Sequence, residues 1–419
     1  MEKFLQIIQE EFRSQLRKTA ESTPRLYQFP KGKELAKVAI GIRRCGKTYF
    51  LFQTMRELIE SKISVDRLLY INFEDDRLIP IDQKKMGGMV DALYTMQPSL
   101  HDQRCYLFLD EVQNVEGWPL VVRRLLDTKD IEIFITGSSA KLLSKEIATS
   151  LRGRSLSIEI QPYNFEEYLI THAIPLPKKP FGKKILDQYR LHLIGFFQRG
   201  GFPGVQTLSD LERLETLQNY VEGVVFRDIV ERHNISNIKL LKYFVSVLLK
   251  NVGSRFSINK FYNDISSQGY KVAKDTLYTY LEHLEDAFLV FTVPLFTESL
   301  RALETTPKKI YAIDNGLINA NTFNLSLNFG KMLENQLYLD LRRQKKEIFY
   351  YTTKNGHEID FVTKDQQDRY ELIQVVWDQS DPETYEREER ALKAAQQELG
   401  IQGRIIDWQD YLASFGNLD

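Results

Sequence analysis

Cysteine is scarce, with Cys45 and Cys105 the only two in 419 residues and neither in a CxxC pair. That argues against a disulfide framework or a structural zinc site and points to a reducing, cytoplasmic compartment. Net charge is also nearly absent, at −1 from 56 basic and 57 acidic residues. Without a global basic excess, any DNA contact needs a local patch. No stretch approaches about 18 uninterrupted apolar residues, which excludes a membrane-spanning helix. The amphipathic pattern of Met1 to Thr19 is interrupted by Glu2, Glu10, Glu11 and Arg13. It is therefore no signal-peptide core, and it is expected to pack on its own domain rather than on a membrane.

What is present suits a large globular chain. Hydrophobic content of 43% and charged content of 27% supply a core, and the length suggests two to three domains. Short β-rich runs at Lys37–Ile42, Arg67–Phe73, Cys105–Asp110, Ile131–Thr136 and Leu156–Ile160 alternate with helical pattern. That alternation predicts an α/β class, a mostly parallel sheet with helices on both faces, over residues 1–170. A Pro- and Lys-rich connection at 171–185 precedes helical pattern broken by Gly200-Gly201-Phe202-Pro203. Two helices, Phe256–Ile265 and Ala273–Glu285, then precede a β-rich run at Phe288–Leu295. This is winged-helix order, assigned to a middle domain over 171–305. Residues 306–419 form a further small α/β unit: a helix near Gly330–Lys345, runs at Ile348–Thr352, Glu358–Thr363 and Glu371–Trp377, a helix near Glu383–Leu399, and a strand near Arg404–Asp407.

The most specific motif is Gly41-Ile42-Arg43-Arg44-Cys45-Gly46-Lys47-Thr48, a complete G-x-x-x-x-G-K-[ST] between a strand and a helix. Its glycines let backbone N–H groups converge on phosphates at a helix N-terminus. Lys47 reaches the β- and γ-phosphates, and the Thr48 hydroxyl ligates Mg²⁺. Cys45 and Tyr49 complete the predicted nucleotide contacts, while Arg43 and Arg44 face phosphate or orient the loop. The strand ending Leu109-Asp110-Glu111 supplies the acidic partner. Asp110 is placed to hold the Mg²⁺ shell and Glu111 to polarise the attacking water, which favours hydrolysis over binding alone. Ile133 to Ser139 ends a second apolar strand, with Thr136 and Ser138 as candidates to touch the γ-phosphate or its water. Arg152-Gly153-Arg154 offers a guanidinium for the transferring phosphoryl group, Arg154 being the stronger choice. A trans-acting Arg154 implies a dimer or ring, and a cis-acting one allows a monomer.

The ordered set GIRRCGKTYFL, YINFEDDRL, LFLDEVQNVEGWPLVVRRLLD, FITGSSAKLL and LRGRSLSIEIQPYNFEEYL resembles an AAA-type ATPase family of bacteria and archaea. The resemblance continues through GGFP, VVFRDIVERHNI and KIYAIDNGL to LEN, GHEIDFV and ELIQVV. It implies an ATPase core, a winged-helix-like middle and a C-terminal domain similar to PD-(D/E)XK nucleases. ATP over GTP rests on this resemblance and on the lack of an N-K-x-D guanine motif. Arg227 and Asp228 of FRDI read as a structural ion pair rather than as chemistry.

Glu334 and Asp360 fit the first two positions of a PD-(D/E)XK site, and Gln374 takes the acidic position on the next strand. The lysine position holds Val376, which neither ligates nor protonates. A degenerate nuclease fold used for binding or assembly is expected, with a migrated lysine such as Lys354 the alternative. In the winged-helix region, Lys271 and Lys274 precede or open the candidate recognition helix, and Glu282, Glu285 and Asp286 crowd its end. DNA and a protein partner both remain open there. The sequence thus predicts an Mg²⁺-dependent ATPase acting on DNA or a protein partner. Its rivals are an ATP-gated nuclease and a slowly hydrolysing nucleotide switch or scaffold.

Overall fold

A computed structural model describes residues 2–32, 34–138, 151, 153–176, 182–322, 328–379 and 382–414. Ser139 and Arg152, singled out above, lie outside the described residues. The chain divides into two compact units, Met1–Gln161 and Pro162–Asp419.

In the first unit, β1 (Ala36–Ile40), β2 (Leu68–Asn72), β3 (Cys105–Asp110), β4 (Ile131–Gly137) and β5 (Ser155–Glu159) form a parallel sheet in the order β2-β3-β4-β1-β5. Its strands β1 to β4 are largely buried because both faces of the sheet are covered. Successive side chains of a strand point to opposite sides, and the two cores follow that period of two. Leu69, Ile71, Cys105, Leu107, Leu109, Ile133 and Ile135 enter one core with the helices α3 (Gln83–Met96) and α4 (Trp118–Thr128). Leu68, Tyr70, Tyr106, Phe108 and Phe134 enter the other with α2 (Lys47–Glu60).

The N-terminal helix α1 (Glu2–Lys18) packs on this unit, as its pattern predicts. Leu5 and Ile8 join the first core and Phe12 and Leu16 the second, so the helix straddles the sheet edge at β2. Gln9 donates to the Tyr70 carbonyl at 3.0 Å. An otherwise open sheet edge is thereby covered.

The second unit, Pro162–Asp419, carries two sheets. Its strands β6 (Ser254–Phe256), β7 (Val290–Val293) and β8 (Lys308–Ala312) make an antiparallel sheet in the order β6-β8-β7. A helix at Ile238–Lys250 precedes β6, and helices at Ile258–Ser267 and Lys274–Asp286 separate β6 from β7. Strands β9 (Glu347–Thr352), β10 (Glu358–Lys364), β11 (Tyr370–Val375) and β12 (Gly403–Ile406) make a mixed sheet in the order β12-β11-β10-β9. The segment after β7 fuses the two sheets: Phe296 donates its backbone N–H to the Tyr350 carbonyl at 2.7 Å, and Tyr350 donates to that of Pro294 at 3.0 Å. Lys309 of β8 adds ion pairs to Glu358 and Asp360 of β10.

The GGFP and IDNGL motifs form a single knot in this unit. Asp314 caps the helix Asn315–Asn321 through the Leu317 N–H at 3.0 Å and also accepts the Gly201 N–H at 2.5 Å. Gly200 sits at φ +80°, where a Cβ would lie 2.2 Å from the Asp314 carboxylate, so no larger residue fits. Val224–Val230, which carries FRDI, is π-helical, and its buried Asp228 pairs with Arg232 at 3.6 Å. The ion pair expected between Arg227 and Asp228 is thus made one turn later.

Candidate active site

The loop from β1 into α2 is shaped by its backbone. Gly41 takes φ +154°, Arg44 +69° and Gly46 +101°. A Cβ on Gly41 would stand 2.1 Å from the Ile160 carbonyl oxygen, so only glycine lets the loop pass β5. Lys47 opens α2, and its Nζ donates to the carbonyls of Gly41 at 3.1 Å and Ile42 at 3.2 Å. It also lies 3.6 Å from Glu111 Oε1, with both side chains nearly buried.

The period of two brings the polar residues together. Asp110 ends β3 on the α2 side, as do Tyr70 on β2 and Thr136 on β4. Asp110 Oδ2 accepts from the Tyr70 hydroxyl at 2.9 Å, and Oδ1 accepts from the Thr136 hydroxyl. The Thr48 hydroxyl adds a further bond to the same carboxylate. Burial and the neighbouring Glu111 charge push Asp110 up from the ordinary carboxylate range despite these bonds. A hard divalent cation, which takes oxygen ligands, fits this hydroxyl–carboxylate pair and would relieve that strain of charge.

Glu111 is held at φ +53°, a left-handed conformation that costs a non-glycine residue on the order of 1 kcal/mol or more. Its N–H donates to Thr136 Oγ1 at 2.9 Å, so Thr136 bridges both acidic residues from beneath. Burial raises the Glu111 carboxyl, but Lys47, Gln113 and Arg43 outweigh it and hold the group below its usual range. Gln113 donates to Glu111 Oε2 at 2.6 Å and to Ser138 Oγ at 3.4 Å, while its own Oε1 is buried without a hydrogen-bond partner.

Other expected contacts lie around this centre. Arg43 pairs with Glu74 at 2.8 Å, Arg44 is exposed, and Tyr49 projects outward from the first turn of α2. Cys45 is fully buried, which pushes its thiol up, so it lines the loop as a small apolar group. Arg154 corrects the same-chain alternative. It precedes β5 beside the start of β1, where its carbonyl accepts the Ala36 N–H, and its side chain is exposed and paired with Asp127. The P-loop leaves the other end of β1, and five residues at about 3.3 Å each leave roughly 16 Å between them. No guanidinium spans that distance to its own P-loop.

Three neighbours were missed by the sequence reading. Gln113 was detectable as the polar residue two places after Glu111, and Tyr70 by its shared strand parity with Asp110. Arg25 carries no local signal. Its buried guanidinium donates to the Cys45 carbonyl at 2.6 Å and the Gln161 carbonyl at 2.5 Å, bracing the P-loop from below.

The sequence model of a family described as an AAA domain matches residues 33–169. An uncharacterised protein of Methanocaldococcus jannaschii is 38% identical over 382 residues, covering 89% of this chain and 82% of that protein. The chain belongs to this family of AAA-domain proteins. An uncharacterised member from Haemophilus influenzae is 29% identical over 353 residues, 84% of this chain and 85% of that one. In this AAA-domain protein residues 190–328 and 329–407 match two further models, each described as a domain of unknown function. Among solved structures, the Walker-type ATPase of Pyrococcus abyssi is similar with TM-score 0.46 and 14% identity, over 71% of this chain and 97% of that chain. The Aeropyrum pernix ORC1 protein, solved in complex with DNA, has TM-score 0.33 and 13% identity, over 74% and 91%. The AAA fold accounts for nucleotide binding at the P-loop. Among the described residues no helix is long and apolar enough to cross a membrane.

Proposed function

We propose that this protein is an Mg²⁺-dependent ATPase whose nucleotide state governs contact of its second unit with DNA or a protein partner. The observation that carries the reading is the convergence of Lys47, Thr48, Asp110 and Glu111, with the Glu111 carboxylate 3.6 Å from the Lys47 ammonium. Lys47 binds the β- and γ-phosphate oxygens, displacing its present carbonyl partners. Thr48 and Asp110 hold Mg²⁺, which supplies charge neutralisation across the phosphates when bound. Glu111, kept ionised by Lys47 and Gln113, accepts the proton of the attacking water. The strand β4, between β1 and β3, presents Thr136 and Ser138 beside that water's place, Thr136 by fixing both acidic residues and Ser138 through Gln113.

Glu111→Gln tests the reading, because it keeps the shape and removes the base. Turnover should fall at least about 100-fold, the scale of a lost general base, while nucleotide stays bound. Negligible turnover already in the parent chain would favour the switch or scaffold.

Support for a winged-helix reading of the second unit is its order of helix, strand, two helices and two antiparallel strands joined through the helix Leu300–Thr305, with β8 central in the sheet. Lys271 and Lys274 are exposed at the start of the candidate recognition helix, while Glu285 is drawn back to Thr292 of β7 at 2.7 and 2.9 Å. A helix followed by β9-β10-β11, a helix and the parallel β12 supports the nuclease-like reading. Filter binding of duplex DNA across a salt series separates the partners. Retention that falls steeply with salt supports DNA, and none at low ionic strength leaves a protein partner.

A further inference from the structure

Buried charges need partners, and among the described residues of the second unit Lys309 on β8 is the most deeply buried cation, with no exposed surface. Its Nζ lies 2.7 Å from Glu334 Oε1, 2.8 Å from Asp360 Oδ1 and 3.0 Å from Glu358 Oε1. Three carboxylates thus surround one ammonium, and Asp360 Oδ1 accepts a hydrogen bond from it. The carboxylates come from the helix Phe329–Arg343 and from two positions of β10 that share a face. Oxygens that converge in this way on one buried point are also how proteins hold a hard divalent cation.

We propose that the Lys309 ammonium is the resident cation of this carboxylate cage, standing in the place of a divalent metal, so that the second unit holds its site without metal and cleaves no phosphodiester. The inference rests on the nuclease-like reading of this unit and is independent of the ATPase reading.

Three observations carry it. A metal bridging the same three oxygens would overlap Nζ, so the two cations exclude one another. The second oxygens of the β10 carboxylates are also engaged: Asp360 Oδ2 accepts the Val375 N–H at 2.9 Å, and Glu358 Oε2 pairs with Arg255 at 2.9 Å. Both β10 carboxylates thus already have partners on each oxygen. Gln374, the residue expected to stand in the acidic position, is committed elsewhere. It accepts the Asp360 N–H at 3.2 Å and donates to Glu388 at 2.7 Å.

The structure also corrects the lysine expectation. Lys354 is exposed at the turn after β9, with its backbone N–H on Glu398, and takes no part. A lysine does reach the acidic pair, but it comes from β8, about 50 residues before the strand that carries Asp360 in the sequence pattern. Its charge is already balanced by three carboxylates rather than left for a phosphate.

The experiment uses the full chain, freed of nucleotide and treated with chelator, and follows free Mn²⁺ by electron paramagnetic resonance. The parent and Asp360→Asn should bind Mn²⁺ equally weakly, and neither should nick plasmid DNA with Mn²⁺ or Mg²⁺. Lys309→Met should gain one Mn²⁺ site at least ten-fold tighter than any in the parent, lost again when Asp360→Asn is added. A parent Mn²⁺ site or nicking activity that Asp360→Asn abolishes would overturn the proposal, because Lys309 would then stand beside a metal. A folded Lys309→Met chain without a new site would also overturn it. If Lys309→Met does not fold, the parent against Asp360→Asn still decides.

Discussion

Lys47 Nζ sits 3.6 Å from Glu111 Oε1, so the cation proposed to meet phosphate already faces the carboxylate proposed to meet water. An incoming phosphate competes with Glu111 for Lys47, which couples occupancy of the loop to release of the base. Lys47→Met removes the cation and leaves Glu111 buried and unbalanced. Affinity for a fluorescent ATP analogue should fall at least about 100-fold, roughly 2.7 kcal/mol. Unchanged affinity in a titration would contradict the assigned role of Lys47.

Gln113 holds the Glu111 carboxylate and helps depress its pKa, behind the larger effects of burial and of Lys47. Gln113→Ala should therefore move the acid limb of turnover to higher pH, since the base must be ionised to work. Nucleotide affinity should stay within about two-fold, because Gln113 touches no predicted phosphate ligand. A lower rate with an unmoved pH profile would assign Gln113 a purely structural role.

Arg154 lies at the far end of the sheet from its own P-loop and pairs with Asp127. Exposed pairs of this kind contribute little to stability. Arg154→Ala should leave turnover per chain unchanged in dilute, monomeric protein. A loss that appears only at high protein concentration would reveal a role toward a neighbouring chain.

Asp314 ties the GGFP loop to the helix it caps, and burial pushes its carboxyl up to about 6 despite the backbone N–H groups it accepts. A folded pKa above the ordinary 3.8 contributes stability that is full below about pH 4 and lost as pH rises through about 6. The amount is on the order of 3 kcal/mol. Asp314→Asn cannot ionise, so urea unfolding from about pH 4 to 7 should show a flatter dependence than the parent. Parallel profiles for the two chains would rule out this titration.

Local pattern alone identified the P-loop, the acidic pair, the five strands of the first sheet to within two residues, and the packing of α1. Each is written in neighbouring residues: a glycine spacing, an apolar run, a period of two or of 3.6. The domain boundary was less legible, because Tyr163 pairs with Gly201 and the Asp314 knot draws the segment after Gln161 into the second unit. From 171 onward the segment after β7 is tied to β9 by backbone bonds between residues about 55 apart in the chain, a contact no local pattern announces.

The sequence by itself determined that the first unit has a nucleotide-binding AAA core, because a phosphate loop and its acidic strand are short-range motifs whose residues fold locally. Only the tertiary structure decided which charges meet. Arg154 proved remote from the P-loop because parallel register set it at the opposite end of β5. Arg25 came beneath the loop from outside every motif, and Lys309 filled the carboxylate cage from a strand the nuclease pattern does not include. Contacts across such separations follow from strand register and packing, which no spacing of residues along the chain encodes.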